Sequence, residues 1–173
     1  MENQLNSKSF MINNGAILGV ASVLFALIMY ATGNHLKPHW SASIINAILF
    51  IGVIVYGIKQ FKTANENFLS WGQGVKIGVG IAILAGLVVV IYNYLFMNFI
   101  EPEFMSQLME VQNQMYLDQG LTEEQIEAAN KIGKTFQTPG IMASVGIISY
   151  AIGGFIIAAI AAAIMKKSEE ETY

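Results

Sequence analysis

Four long apolar blocks constrain this chain more than any other feature of its sequence. They cover residues 15–32, 41–58, 77–100 and 140–165, and none of them contains an Asp, Glu, Lys, Arg or His. A helix needs about 20 apolar residues to cross the hydrocarbon core of a bilayer, whereas a surface helix of a soluble protein carries polar residues along its outer face. The blocks therefore predict an all-α, polytopic membrane protein: one domain with four transmembrane helices.

The composition supports this prediction and excludes several other classes of protein. Hydrophobic residues make up 54% of the 173 residues and charged residues only 12%, compared with roughly 25% charged in an average soluble domain. The net charge is −3 and the chain has no Arg, so a basic face for nucleic acid is not expected. The chain has no Cys, which excludes disulfides, thiol nucleophiles and Cys-ligated metals. The lipid bilayer is the partner that the composition predicts.

The distribution of Lys predicts the orientation of the spans. With four spans, the two termini and the loop between spans two and three share one side of the membrane. That side carries six of the nine Lys residues, namely Lys8, Lys59, Lys62, Lys76, Lys166 and Lys167. Because positive residues near span ends favour the cytoplasm, we expect both termini to be cytoplasmic. The alternative for the first block, a cleaved signal peptide, is disfavoured because no small-x-small cleavage site follows it before His35.

Small residues recur at four-residue spacing in three of the blocks. The set comprises Gly15 and Gly19, then Gly74, Gly78, Ala82 and Gly86, and finally Gly154, Ala158 and Ala162. This spacing lets helix backbones approach closely in a bilayer. It favours packing within one chain over homodimerisation, although the oligomeric state stays open.

The loop at residues 101–139 is predicted to form a helical hairpin outside the membrane. It contains seven acids and two Lys. Pro102 permits a helix to begin just after span three, Gly120 ends that helix, and Thr122 with Gln125 forms a capping-box pattern that begins the next. The apolar residues of the two helices are expected to form an inner seam of the hairpin. Its predicted members are Phe104, Met105, Leu108, Met109, Val111 and Met115 in the first helix, and Ile126, Ala129, Ile132 and Phe136 in the second. Two interpretations stay open. The apolar stripes of the two helices pack on each other and on the outer end of the bundle, or the hairpin is a surface that binds a partner.

Few polar side chains lie inside the blocks, and four of them are candidates for contacts between helices: Asn46, Asn93, Ser149 and Tyr150. Asn46 and Asn93 lie at similar depths below the outer face, so we expect hydrogen bonds across the bundle, between these two residues or with Tyr92 or Tyr30. We predict no catalytic, cofactor-binding or metal-binding residue. His35 and His39 are four residues apart, but Pro38 separates them and no acid lies in their loop, so a metal site is not expected there.

Several segments are similar to a known family. They are residues 69–78 (LSWGQGVKIG), 92–94 (YNY) and 101–104 (EPEF), together with the acidic helical loop and the Lys pair after span four. On these the chain resembles the bacterial domain-of-unknown-function 4199 family (DUF4199) of small integral membrane proteins. The resemblance covers nearly the whole chain and implies a bacterial inner-membrane setting. It carries no activity, cofactor or catalytic residue to any position of this sequence.

These observations predict a protein that is not an enzyme. The first hypothesis is a subunit or envelope scaffold whose acidic outer hairpin contacts a protein partner. The alternative is a component of a small oligomeric transporter or channel, with Asn46, Asn93, Ser149 and Tyr150 along its polar route. An intramembrane enzyme is disfavoured because the blocks contain no His or Asp.

Overall fold

The computed structural model describes residues 6–167, and their fold is helical. Among these residues four helices are long and apolar enough to cross a membrane, and no β-strand forms. The predicted all-α, four-span class is confirmed. The elements are α1 (Ser7–Ala31), α2 (Trp40–Ala64), α3 (Trp71–Leu95), a π-helical turn (Phe96–Ile100), α4 (Phe104–Asp118), α5 (Glu123–Phe136) and α6 (Pro139–Met165). The chain ends, residues 1–5 and 168–173, lie outside the described residues.

The helices continue past the apolar blocks at the end of the bundle that carries the termini. There α1 begins at Ser7, α2 extends to Ala64 and α3 begins at Trp71. Local capping explains one of these boundaries, because the Ser70 hydroxyl accepts a hydrogen bond from the backbone of Gln73 and the Gln73 side chain accepts one from Ser70. The apolar blocks therefore mark the lipid-embedded stretches of longer helices.

The predicted small-residue spacing forms the seam between α3 and α6. Four layers face each other across this antiparallel pair: Gly74 on Ala162, Gly78 on Ala158, Ala82 on Gly154 and Gly86 on Tyr150. A Cβ added at Gly74 would lie 2.6 Å from the Cβ of Ala162, far inside ordinary van der Waals contact. The prediction that this spacing packs helices of one chain together is confirmed.

The opposite face of α3 packs against α1, which runs parallel to it. Gly15 faces Leu84 and Gly19 faces Val88, and a Cβ at either glycine would lie 2.6 Å from the Cβ opposite. The step of four residues is the same on both helices, so the contact follows one continuous stripe. Helix α3 is therefore the centre of the bundle.

Helix α2 closes the bundle with a larger-residue surface. Ile54, Ile58 and Phe61 are buried in the core, and Phe61 meets the ring of Phe10 edge-on at 5.6 Å. Gly57 leaves room for the buried side chain of Asn14. The α1–α2 contact thus combines apolar packing with one polar side chain.

A short backbone bridge ties the loop between α2 and α3 to the end of α6. The amide of Leu69 donates to the carbonyl of Lys167, and the amide of Lys167 donates to the carbonyl of Leu69, both at 3.0 Å. Nearby, Lys62 Nζ donates to the carbonyl of Met165 at 2.8 Å. The end of α6 and the residues just after it are therefore held on the loop between α2 and α3.

The outer hairpin forms as its turn residues predict, but its seam differs from the expected one. Gly120 ends the first helix with a φ of +82°, and the capping box of Thr122 and Gln125 opens the second. Ile126 is buried. Ile132 and Phe136, expected in the seam, are instead 64% and 57% exposed.

The seam departs from the predicted stripe because the inward face of α5 follows a different register. Beyond Ile126 it passes through Asn130 and Gly133, both half-buried, and Asn130 Nδ2 donates to Asn113 Oδ1 of α4 at 2.9 Å. This polar pair sets how the two helices face each other. Met115, expected in the seam from the α4 side, is also 53% exposed.

Candidate functional site

The four polar residues predicted inside the spans take different environments. Asn46 of α2, Asn93 of α3 and Ser149 of α6 are all exposed on the outside of the bundle. Within residues 6–167 no side-chain hydrogen bond joins any of the three to another helix. The structure therefore does not bring Asn46 and Asn93 together.

Tyr150 is the member of this set that turns towards the other helices. Its ring meets Phe50 of α2 edge-on at 5.4 Å and covers Gly86 of α3. It also lies beside Ser22 of α1, which is buried. Tyr150 thus connects all four spans at one level of the bundle.

Asn93 and Tyr150 share a crevice of about 540 Å³ between α3 and α6, near the outer end of the bundle. Asn98, Pro102 and Gln137 line its outer part, where the hairpin begins and ends. Most of the remaining lining is apolar. The crevice therefore marks where the hairpin is rooted on the spans.

His35 and Glu101 form a pair that was not predicted from the sequence. The pair lies on another side of the root of the hairpin, the region where residues 101–104 leave the spans. Nε2 of His35 lies 2.9 Å from Oε2 of Glu101, and the two side chains are only 16% and 14% exposed. His35 belongs to the loop after α1, whereas Glu101 directly precedes the hairpin. The pair therefore connects the first outer loop to the base of the hairpin.

Aromatic rings enclose this pair. The His35 ring stacks on Phe104 at 6.0 Å with an interplanar angle of 24° and meets Tyr30 edge-on at 5.1 Å. Phe96, which is buried, meets both Tyr30 and Phe104 edge-on at 5.1 and 5.5 Å. Such enclosure strengthens a polar contact because it excludes water.

The π-helical turn at the end of α3 positions Glu101. The amide of Glu101 donates to the carbonyl of Phe96 at 2.8 Å, five residues back. A wider turn of this kind rotates the residues after it relative to an α-helix, and such turns are frequent at functional sites. Here the turn ends where Glu101 meets His35.

The chemistry of this site is that of a positioned contact. Within residues 6–167 no group of three or more His, Asp or Glu side chains could hold a metal ion. His39 does not join His35: it caps the start of α2, where its Nδ1 accepts from the Ser41 amide at 3.4 Å. The His35–Glu101 contact joins the loop after α1 to the residues that precede the hairpin, so it fixes the hairpin on the bundle.

The sequence gives only a weak signal for this pair. His35 and Glu101 are far apart in the chain, and the loop that contains His35 has no acid of its own. The usable signal is that both residues border a span at the same predicted outer face. Pairing them requires the α1–α3 packing, which the structure supplies.

The comparisons with known proteins identify the family. The model of DUF4199, described as a protein of unknown function, matches residues 13–167. Because this match covers most of the chain, the protein belongs to the DUF4199 family, and the resemblance predicted from residues 69–78, 92–94 and 101–104 is confirmed. A search of curated proteins and a search of solved structures both find no match to the chain.

Proposed function

We propose that this DUF4199 member is a non-enzymatic subunit or envelope scaffold of the bacterial inner membrane, whose acidic outer hairpin binds a protein partner. In this proposal both termini are cytoplasmic and the hairpin faces the periplasm. The observation that carries it is the hairpin itself, which is fixed at its base and, within residues 6–167, makes no extensive contact with the spans beyond that base.

The surface of the hairpin supports a protein partner. Met115 and Leu117, close to its tip, are 53% and 48% exposed. Asp118, Glu123 and Glu124 follow them in the sequence and are exposed. Exposed apolar side chains in an acidic setting fit a partner that presents an apolar patch bordered by Lys or Arg.

The chemistry of the enclosed pair supports a role without catalysis. The ring of His35 is occupied by Glu101 and by aromatic neighbours, which leave little room for a substrate. The alternative of a small oligomeric transporter or channel would need its path between copies, because α1, α3 and α6 pack through glycine and alanine contacts.

Site-specific photo-cross-linking in cells tests the proposal. A photoreactive amino acid at Met115 should yield one discrete cross-linked protein species, whereas the same probe at Ile152, a similarly exposed position on α6, should not yield it. The double substitution Glu123→Lys and Glu124→Lys should remove the species through charge repulsion. Cross-linking that is equal at Met115 and Ile152, or unchanged by the charge reversal, would contradict the proposal.

The orientation has its own test, because the chain has no native cysteine. An Asp118→Cys variant should react with a membrane-impermeant thiol reagent added to cells with a permeabilised outer membrane. A Glu66→Cys variant, in the exposed turn between α2 and α3, should react only after lysis. The reverse labelling pattern would show that the threading is inverted.

A further inference from the structure

A second site lies at the opposite end of the bundle, between α1 and α2. A cleft of about 890 Å³ opens there, and Asn13, Lys59 and Gln60 line its polar part. These residues stand just outside the apolar blocks, at the level where lipid headgroups lie. Ile17 and Tyr56 line the cleft inside the blocks. The cleft therefore passes from a polar mouth at headgroup level to an apolar part within the hydrocarbon.

The polar wall of this cleft contains a buried amide that is only partly satisfied. Asn14, 1% exposed, donates through Nδ2 to the carbonyl of Phe10 and to Oε1 of Gln60, both at 2.9 Å. Its Oδ1 has no hydrogen-bond partner among the described residues. Buried polar groups are usually satisfied, and an unsatisfied one calls for an explanation. Helix packing alone does not account for this arrangement.

The hydrogen bond from Asn14 determines what Gln60 can offer. Because the oxygen of Gln60 accepts from Asn14, its N–H groups remain for an acceptor in the cleft, and no acceptor within residues 6–167 takes them. Asn13, which is exposed beside it, adds a second amide. The mouth of the cleft therefore offers N–H donors from Gln60 and Asn13, beside the acceptor Oδ1 of Asn14, which is unpaired among the described residues.

The charge of the cleft favours an anion. Lys59 is the only charged residue among the described residues that line it. The next Lys on the same helix, Lys62, is directed instead to the carbonyl of Met165. A zwitterionic headgroup would bring an ammonium into a site that has no carboxylate to receive it. A phosphodiester with no accompanying positive charge matches the lining better.

We propose that this cleft binds an anionic phospholipid, such as phosphatidylglycerol, from the leaflet at the end of the bundle where the termini lie. Lys59 and the N–H groups of Gln60 hold the phosphodiester, and an acyl chain lies along Ile17 and Tyr56. The proposal is independent of the hairpin's partner, since it concerns the opposite end of the molecule.

Native mass spectrometry of the full chain in detergent micelles tests this site with three lipids. Titration with phosphatidylglycerol should give one tightly held lipid per chain, with weaker binding of phosphatidylethanolamine and phosphatidylcholine. Lys59→Gln should raise the Kd for phosphatidylglycerol about fivefold, the effect expected for one cation near the headgroups, whereas Lys59→Arg should retain binding. Lys76→Gln is the matched control, because Lys76 is an exposed Lys near the same end on α3 and does not line the cleft.

A steric variant separates a bound lipid from general attraction of anionic lipid to the surface. Ala16 is exposed and lines the cleft, so Ala16→Trp should block the tightly held lipid while the thermal unfolding temperature stays near that of the wild type. Equal affinity of Lys59→Gln and Lys76→Gln, equal binding of all three lipids, or displacement by millimolar inorganic phosphate would each overturn the proposal.

Discussion

The seam between α3 and α6 allows a quantitative test of the packing. In a Gly74→Ala variant the new Cβ would lie 2.6 Å from the Cβ of Ala162, roughly 1 Å short of the 3.5–4.0 Å at which carbon atoms pack. The helices must separate locally, and overpacking of this kind costs about 1–3 kcal/mol. Alanine's better helix propensity offsets at most about 1 kcal/mol of that cost. We expect a net loss of about 1–2 kcal/mol in the free energy of unfolding.

The same geometry predicts that exchanging the two residues restores stability. Ala162→Gly alone removes a buried methyl group and lowers helix propensity, at a cost of about 1 kcal/mol. The double variant Gly74→Ala with Ala162→Gly places one Cβ in the layer again, so its stability should return to within about 0.5 kcal/mol of the wild type. The coupling energy between the two positions should then be about 2–3 kcal/mol.

Reversible unfolding in mixed micelles, with a double-mutant cycle, measures these terms. Gly72→Ala is the matched control, because Gly72 lies in the same first turns of α3 and a Cβ there would have no neighbour within 4 Å. It should be neutral or slightly stabilising. If Gly74→Ala behaves like Gly72→Ala, or if the costs of the two seam substitutions simply add, the proposed register of α3 on α6 is wrong.

Three further predictions concern other parts of the chain. His35→Ala should free the base of the hairpin and speed tryptic cleavage of α5 several-fold, because a lost polar contact of this kind costs about 0.5–1.5 kcal/mol; unchanged cleavage would contradict the role of the pair. Asn14→Ala should lower the free energy of unfolding by about 0.6–1.7 kcal/mol. Gln60→Ala should then destabilise the Asn14→Ala variant less than it destabilises the wild type. If the two losses of unfolding free energy simply add, the two side chains do not interact. Gly120→Ala should strain the hairpin turn by about 1–2 kcal/mol because of its φ of +82°, seen as faster amide hydrogen exchange there than in Gly133→Ala, whose added Cβ has no neighbour within 4 Å.

The sequence predicted those features that depend on local chemistry. Charge-free apolar blocks require spans, the four-residue spacing of Gly74 and Gly78 suits close packing, and Gly120 with the Thr122 capping box fixes the hairpin turn. Each of these signals lies within a single segment of the chain. None of them requires knowledge of which helix lies beside which.

The features that the sequence did not predict depend on such neighbours. Asn14 lies at the very edge of span one, where a polar residue is ordinary, so nothing in the sequence pairs it with Gln60. His35 meets Glu101 only because α1 lies parallel to α3 and a π-helical turn follows. Asn46 points outward because α2 uses its larger aliphatic residues, not this amide, to close the bundle.

The central position of α3 has a consequence for how the protein is made. Its first neighbour, α1, has already been synthesised when α3 emerges from the ribosome, so that parallel contact can form at once. Its second neighbour, α6, ends about 70 residues after Leu95, and at 5–20 residues per second it arrives roughly 4–14 s later. During that interval the glycine stripe of α3 faces lipid, and a chain released before α6 is complete would keep that surface open to other membrane helices.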